Sequence, residues 1–214
     1  MKAERELYVL ALNSGSSSLK FGLYRVQSSL TRRLITGEAE SIGEEAAVFH
    51  AEDPAGTSLL RESAPLPSQK DAVIRIARLL TDTKVPAPQS IGHRIVHGGP
   101  QLKHHCVIDD SVLDKLNAAV AFAPLHMPPA LSVIRFSRTH FPGLPQIACV
   151  DTSFTHACRA SRACCRFPTG CERKASSATG FMASPANRLC VNWEARCRET
   201  YSLLISAMAP ASRP

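Results

Sequence analysis

Two short apolar runs flank a polar turn near the start of the chain, and they constrain its fold most. Leu7 to Leu12 reads Leu-Tyr-Val-Leu-Ala-Leu and stops at Asn13-Ser14-Gly15. Apolar residues resume at Leu19 and continue to Tyr24. A short apolar run bounded by turn residues reads as a buried strand, and the second run as its hairpin partner. Arg33 to Gly37 is a weaker third strand, and the Pro-, Ser- and charge-rich stretch Ala51 to Gln69 reads as loop. Asp71 to Leu80 places Val73, Ile76, Ala77 and Leu80 at helical spacing. Ser90 to Val96 is a strand that ends in His97-Gly98-Gly99-Pro100. Asp110 to Phe122 is a helix with Val112, Leu113, Leu116 and Val120 on one face. Pro129 to Thr139 is another, with Pro in its first turn. Gln146 to Val150 is a last short strand that ends at Asp151. Strands alternating with helices predict an α/β domain. No internal repeat is visible.

The 214 residues suffice for one large or two small domains. Apolar residues make up 44% and charged residues 20%, which excludes wholesale disorder. No run of eighteen apolar residues occurs, so no membrane span is expected. The opening Met-Lys-Ala-Glu-Arg-Glu lacks the order of a signal peptide. A cytoplasmic protein is expected, with its eight Cys as reduced thiols or metal ligands. The net charge of +7 is unevenly spread. Residues 155–214 hold nine Lys and Arg against three Asp and Glu, and six of the Cys, while residues 1–154 balance to +1. Such a break marks a domain boundary or a tail.

Four features carry chemistry. In Asn13-Ser14-Gly15-Ser16-Ser17-Ser18-Leu19-Lys20, backbone N–H groups and hydroxyls can cradle an anion and Lys20 adds a point charge suited to phosphate. The turn lacks P-loop spacing, and an ordinary Ser/Gly hairpin turn is the alternative. In Gly92-His93-Arg94-Ile95-Val96-His97-Gly98-Gly99, an Arg beside a Gly-Gly turn can present its planar fork to a carboxylate or phosphate. His93 and His97 could donate to the same anion, or be packed residues. The third feature is Ala123-Pro124-Leu125-His126, where His126 is a ligand-facing donor or a loop residue. The fourth is Asp151-Thr152-Ser153-Phe154. A carboxylate at a strand's C-terminal end is where α/β folds place reactive groups, and also where helix caps sit.

In order and spacing these four motifs, over residues 7 to 154, resemble the acetate kinase family. The resemblance implies a ribonuclease-H-like, actin-like ATPase domain over 1–154 and one half of a nucleotide cleft. It implies phosphoryl transfer between ATP and acetate, or a similar short-chain carboxylate, with Mg2+. By the motif matches Asn13 would lie at the metal site and Lys20 near the nucleotide phosphates. Arg94 would hold the substrate carboxylate or the phosphoryl group, and Asp151 would be the catalytic acid or base. The family also implies a homodimer. One departure is Met127-Pro128-Pro129-Ala130 after His126, where the family shows Asn-Pro and a further Asn.

Past Phe154 the family's later motifs are missing from the residues as they stand. A reading frame beginning one base earlier permits them in family order. It permits Val-Leu-Pro-Ile-Pro through Arg162 to Pro168, Tyr-Gly-Phe-His-Gly through Ala178 to Ala183, and Ala-His-Leu-Gly-Asn-Gly-Ala-Ser through Leu203 to Ala211. Residues 155–214 are therefore read as an out-of-frame, disordered tail, and the chain as an inactive N-terminal part of a kinase. The competing reading is a non-catalytic fragment whose tail binds nucleic acid or zinc. Its Arg residues would meet phosphates, with Trp193 and Tyr201 stacking on bases. No C-x-x-C pair supports zinc.

Overall fold

The computed structural model describes residues 6–27 and 30–151. The tail beyond Asp151, with every reading made for it, lies outside the described residues. The chain runs β1 (Leu7–Ser14), β2 (Leu19–Val26), β3 (Thr31–Glu40), β4 (Val48–Glu52), β5 (Ser58–Ser63), α1 (Gln69–Asp82), β6 (Ser90–Ile95), β7 (Cys106–Val107), α2 (Asp110–Ala118), a 3-10 turn (Ala119–Phe122), α3 (Met127–His140) and β8 (Gln146–Val150). One eight-stranded sheet has the order β5-β4-β3-β2-β1-β6-β8-β7. β1, β6 and β8 are parallel neighbours. β2 to β5 extend the sheet as an antiparallel meander from β1. No described helix is long and apolar enough to cross a membrane.

The central strands are apolar on both faces, and the register sorts their side chains into two sets. Leu10 and Leu12 of β1, with Ile91 of β6, face α1 and α3 in the main core. Ile95, Ala148 and Val150 continue that face under α2 and α3. The opposite face carries Val9, Ala11, Ile147 and Cys149.

The expected loop over Ala51 to Gln69 is a correction: it holds the end of β4 and all of β5. β5 reads Ser-Leu-Leu-Arg-Glu-Ser at the sheet edge, with Leu59 39% exposed. Edge strands carry charge and exposed apolar residues, so the alternation that marks a half-buried strand is blurred. Helix α1 starts at Gln69, ahead of the expected Asp71, because Ser68 caps it. Ser68 Oγ accepts from the Asp71 N–H at 3.4 Å and donates to Asp71 Oδ2 at 2.6 Å. The expected helix Asp110 to Phe122 is α-helical only to Ala118 and then tightens into the 3-10 turn. Asp109 caps its start by accepting from the Val112 N–H at 2.7 Å.

After β6 the chain turns away at Gly98 and Gly99. Gly99 has φ +65°, which favours glycine. Gly98 is needed for a different reason: a Cβ there would run into the Leu102 carbonyl and lie 2.8 Å from Val150 Cγ1. Gly98→Ala is expected to destabilise the fold by about 1–3 kcal/mol, the usual cost of overpacking. A urea unfolding midpoint unchanged from wild type would contradict this packing.

Candidate active site

The site forms where the three parallel strands end. Asn13 lies near the end of β1, Arg94 near the end of β6, and Asp151 directly after β8. Register explains their meeting. Ala11, Gly92 and Ile147 pair in one row across β1, β6 and β8. Two residues further on, Asn13 and Arg94 emerge on the same face, and Asp151 follows Ile147 and Cys149 there. The backbone fixes Asp151 further, since its N–H donates to the Ile95 carbonyl at 2.8 Å.

Arg94 binds these groups together. Its Nε and Nη2 donate to Asp151 Oδ2 at 3.1 and 2.9 Å. Its Nη1 donates to Asn13 Oδ1 at 3.4 Å. The Arg94 and Asp151 side chains are 31% and 23% exposed, so the pair is open to a ligand from solvent. A guanidinium carries five N–H donors. These contacts occupy one donor on each nitrogen, so Nη1 and Nη2 each keep an N–H for an anion.

Lys20 sits opposite Asn13 in the β1–β2 register. Its Nζ forms an ion pair with Glu38 Oε2 of β3 at 3.0 Å. Glu38 was not singled out in the sequence, because the pairing depends on the β2–β3 register, which sets Lys20 opposite Glu38. The Ser-rich turn is held by its own backbone. The Gly15 N–H donates to the Ser18 carbonyl at 2.8 Å, so that donor closes the turn and is not offered to an anion. Gln69 of α1 clamps the turn from outside, donating to the Gly15 and Ser18 carbonyls at 3.1 and 3.3 Å. Ser16 and Ser17 remain exposed. Gln69 too left no signal in the sequence, since it acts across a helix-to-turn contact distant in the chain.

The two His of the β6 motif part ways. His93 is 2% exposed on the helix-covered side of the sheet, with Nε2 2.8 Å from Gln146 Oε1. It does not share an anion with Arg94, which points to the other face. Burial pushes its pKa down to about 4, although the Gln146 hydrogen bond works in the opposite direction. His97 lies beyond the strand and accepts from the Gly99 N–H at Nδ1, 2.9 Å away. Its ring stacks on Phe122, which is 57% exposed. His126 is exposed at the start of α3 and makes no capping bond with its side chain. Among the described residues no group of three or more His, Cys, Asp or Glu gathers to hold a metal. One carboxylate, Asp151, and one amide oxygen, that of Asn13, stand around Arg94. That set fits Mg2+, which is commonly held by one or two carboxylates together with substrate phosphates. A concavity lined by Arg138, Leu144 and Gln146 lies at the other end of β8 and contains none of these groups.

The model of the acetokinase family matches residues 8–175. The chain belongs to the acetokinase family. An acetate kinase of Borrelia hermsii is 36% identical over 152 residues, covering 68% of this chain and 36% of that protein. One of Nitrobacter hamburgensis is 37% identical over 150 residues, covering 68% and 37%. Among solved structures, a propionate kinase of Francisella tularensis is 34% identical with a TM-score of 0.63, covering 69% of this chain and 38% of that one. A Porphyromonas gingivalis acetate kinase is 29% identical with a TM-score of 0.64, over 69% and 38%. The chain thus spans less than two fifths of the length of these members of the family. The sheet and helices have the architecture of acetate kinase structures, the actin-like ATPase fold.

Proposed function

We propose that the chain serves phosphoryl transfer between ATP and a short-chain carboxylate, giving ADP and an acyl phosphate, with acetate as the acceptor. The observation that carries this reading is Arg94 held between Asp151 and Asn13 at the ends of three parallel strands. Phosphoryl transfer depends on positioning and charge stabilisation more than on covalent steps by the protein. Arg94 binds the acceptor carboxylate or the moving phosphoryl group through the N–H groups that Asp151 and Asn13 leave open. Asp151 fixes the guanidinium plane and stands where it can take or give a proton at the reacting oxygen. Lys20 faces the nucleotide phosphates, its charge moderated by Glu38. Asn13, with the Asp151 carboxylate beside it, would hold Mg2+, which neutralises phosphate charge when bound. A propionate kinase stands among the structural relatives beside acetate kinases, which supports the acceptor class more firmly than the one acceptor.

The described residues supply one wall of the cleft, and the reaction needs a second wall. Loss of an arginine-type clamp alone slows phosphoryl transfer by roughly three to five decades. The 214-residue polypeptide by itself is therefore expected to form no acyl phosphate above background. Hydroxylamine trapping after incubation with ATP, MgCl2 and acetate checks this, and sustained hydroxamate formation would contradict it. The substrate assignment has a separate test. Acetyl phosphate should bind the chain and be displaced by acetate and by phosphate but not by equal ionic strength of chloride. Equal displacement by chloride would point to unspecific charge attraction.

A further inference from the structure

Asp151 stands past one end of β8, and a concavity opens at the other end. Its cavity volume is about 430 Å3, and it is walled by Val107, Ile108, Pro142 and Leu144, with Arg138 and Gln146 as its polar side chains. That volume falls within the range of small-molecule sites. At the rise of a strand, Gln146 and Asp151 stand about 17 Å apart along β8, so the cavity is remote from the Asn13–Arg94–Asp151 cluster. Backbone bonds fix its walls. The Leu144 N–H donates to the Phe141 carbonyl at 3.3 Å, closing a turn in which Gly143 has φ +80°. The Pro145 carbonyl accepts from the Ile91 N–H at 3.0 Å, and the Gln146 carbonyl from the Ile108 N–H at 2.7 Å. The cavity is therefore formed before a ligand arrives, which lowers the ordering cost of binding. Val107 on its wall is 37% exposed, apolar surface that a ligand would cover.

The two polar side chains both offer donors. Gln146 is 3% exposed, and its Oε1 is taken by His93 Nε2 at 2.8 Å. Its Nε2 is buried without a hydrogen-bond partner. A buried donor left unpaired is costly, and an acceptor brought to it recovers that cost. Arg138 Nη2 donates to Asp110 Oδ1 at 2.9 Å, and the Asp110 side chain is 92% exposed. Such an exposed pair holds its partners weakly, and the guanidinium has further N–H groups to offer. One cation, partly offset by Asp110, fits a singly charged acceptor better than a phosphate dianion. We propose that this cavity binds a monocarboxylate whose apolar body is longer than that of acetate. The carboxylate meets Arg138 and Gln146 Nε2, and the alkyl chain lies against Val107, Pro142 and Leu144. The proposal stands apart from the phosphoryl-transfer reading, since no residue is shared between the two sites.

Nuclear magnetic resonance of the 15N-labelled 214-residue chain, titrated with hexanoate at neutral pH, tests it. Saturable shifts are expected for the Gly143 and Leu144 amides and for the Gln146 side-chain NH2. Affinity should rise by up to about fourfold with each methylene from butyrate to hexanoate, the effect of burying one methylene. Arg138→Gln keeps much of the side chain's length but removes the charged fork, and should weaken hexanoate binding about tenfold or more. Arg94→Ala should leave these shifts unchanged. Absence of saturable shifts at these three signals overturns the proposal, as does equal affinity in Arg138→Gln. Loss of the shifts in Arg94→Ala also overturns it, because hexanoate would then occupy the other cluster. Should Arg138→Gln unfold the chain, the chain-length series decides, and an affinity that is flat from butyrate to hexanoate overturns the proposal.

Discussion

Replacing Arg94 with alanine is expected to weaken acetyl phosphate binding by about a hundredfold. Hydrogen bonds to a charged group contribute about 1.5–3 kcal/mol, and 2.7 kcal/mol corresponds to a factor of one hundred. Two effects act in the same direction. The variant loses the N–H groups of Nη1 and Nη2 that meet the anion. It also removes the cation that the Asp151 carboxylate now faces at 2.9 Å, so an incoming phosphate meets uncompensated negative charge. Arg94→Lys separates the contributions. Lysine restores a positive charge but has no planar fork, so it should recover only part of the affinity. Equilibrium dialysis with labelled acetyl phosphate measures both variants. An affinity in Arg94→Ala within about twofold of wild type would remove Arg94 from the site, since a single charged hydrogen bond already exceeds that.

The second large effect is on stability in acid. His93 is buried beneath the helices, and its Nε2 meets the Gln146 side-chain oxygen. That partner accepts, so Nε2 carries the proton of a neutral ring in this hydrogen-bond assignment. An imidazolium there would lose its hydration, and burial therefore holds the pKa down at about 4, against 6.5 for an unperturbed ring. The sign follows from linkage. Between pH 6.5 and 4 the unfolded chain binds a proton at this residue and the folded chain does not. The contribution of the neutral ring is complete above pH 6.5 and is lost as pH falls towards 4. The loss amounts to about 3 kcal/mol over that window. His93→Gln should flatten this part of the profile. Urea midpoints at pH 7.5 and 4.5 compare the two chains, and equal losses in both would show that His93 is not the titrating group. The effect reaches the site, because Arg94 is the next residue on β6 and depends on the same strand.

What could be read from the residues follows physical lines. β1, β2, β6 and β8 are central strands buried on both faces, so each is a near-continuous apolar run bounded by turn residues. β4 and β5 lie at the outer part of the sheet, where charge and Ser stand on the exposed sides, so the end of β4 and all of β5 carry the local pattern of a loop. β7 has only two residues and exists through its pairing with β8, which no local pattern signals. At the candidate site, Asn13 and Asp151 stand out because each follows an apolar run as a polar group at a turn, and Arg94 because it is a cation inside a buried strand, three residues before His97-Gly98-Gly99. Their meeting was implied only by resemblance, since parallel order β1-β6-β8 is a tertiary fact. Glu38 and Gln69 were illegible for the same reason. One reaches Lys20 through cross-strand register, the other reaches the Ser-rich turn from the first residue of a helix. His93 shows the reverse case. It sits in the motif beside Arg94, yet the two-residue period of the strand sends it to the opposite face.

The central claim is that the Asn13–Arg94–Asp151 cluster is where the acyl phosphate binds. Nuclear magnetic resonance of the 15N-labelled 214-residue chain during titration with acetyl phosphate tests it most directly. The predicted result is a saturable shift of the Arg94 Nε–H signal and of the Asp151 amide, absent in Arg94→Ala. Saturable binding that leaves both signals in place, or that persists unchanged in Arg94→Ala, would contradict it.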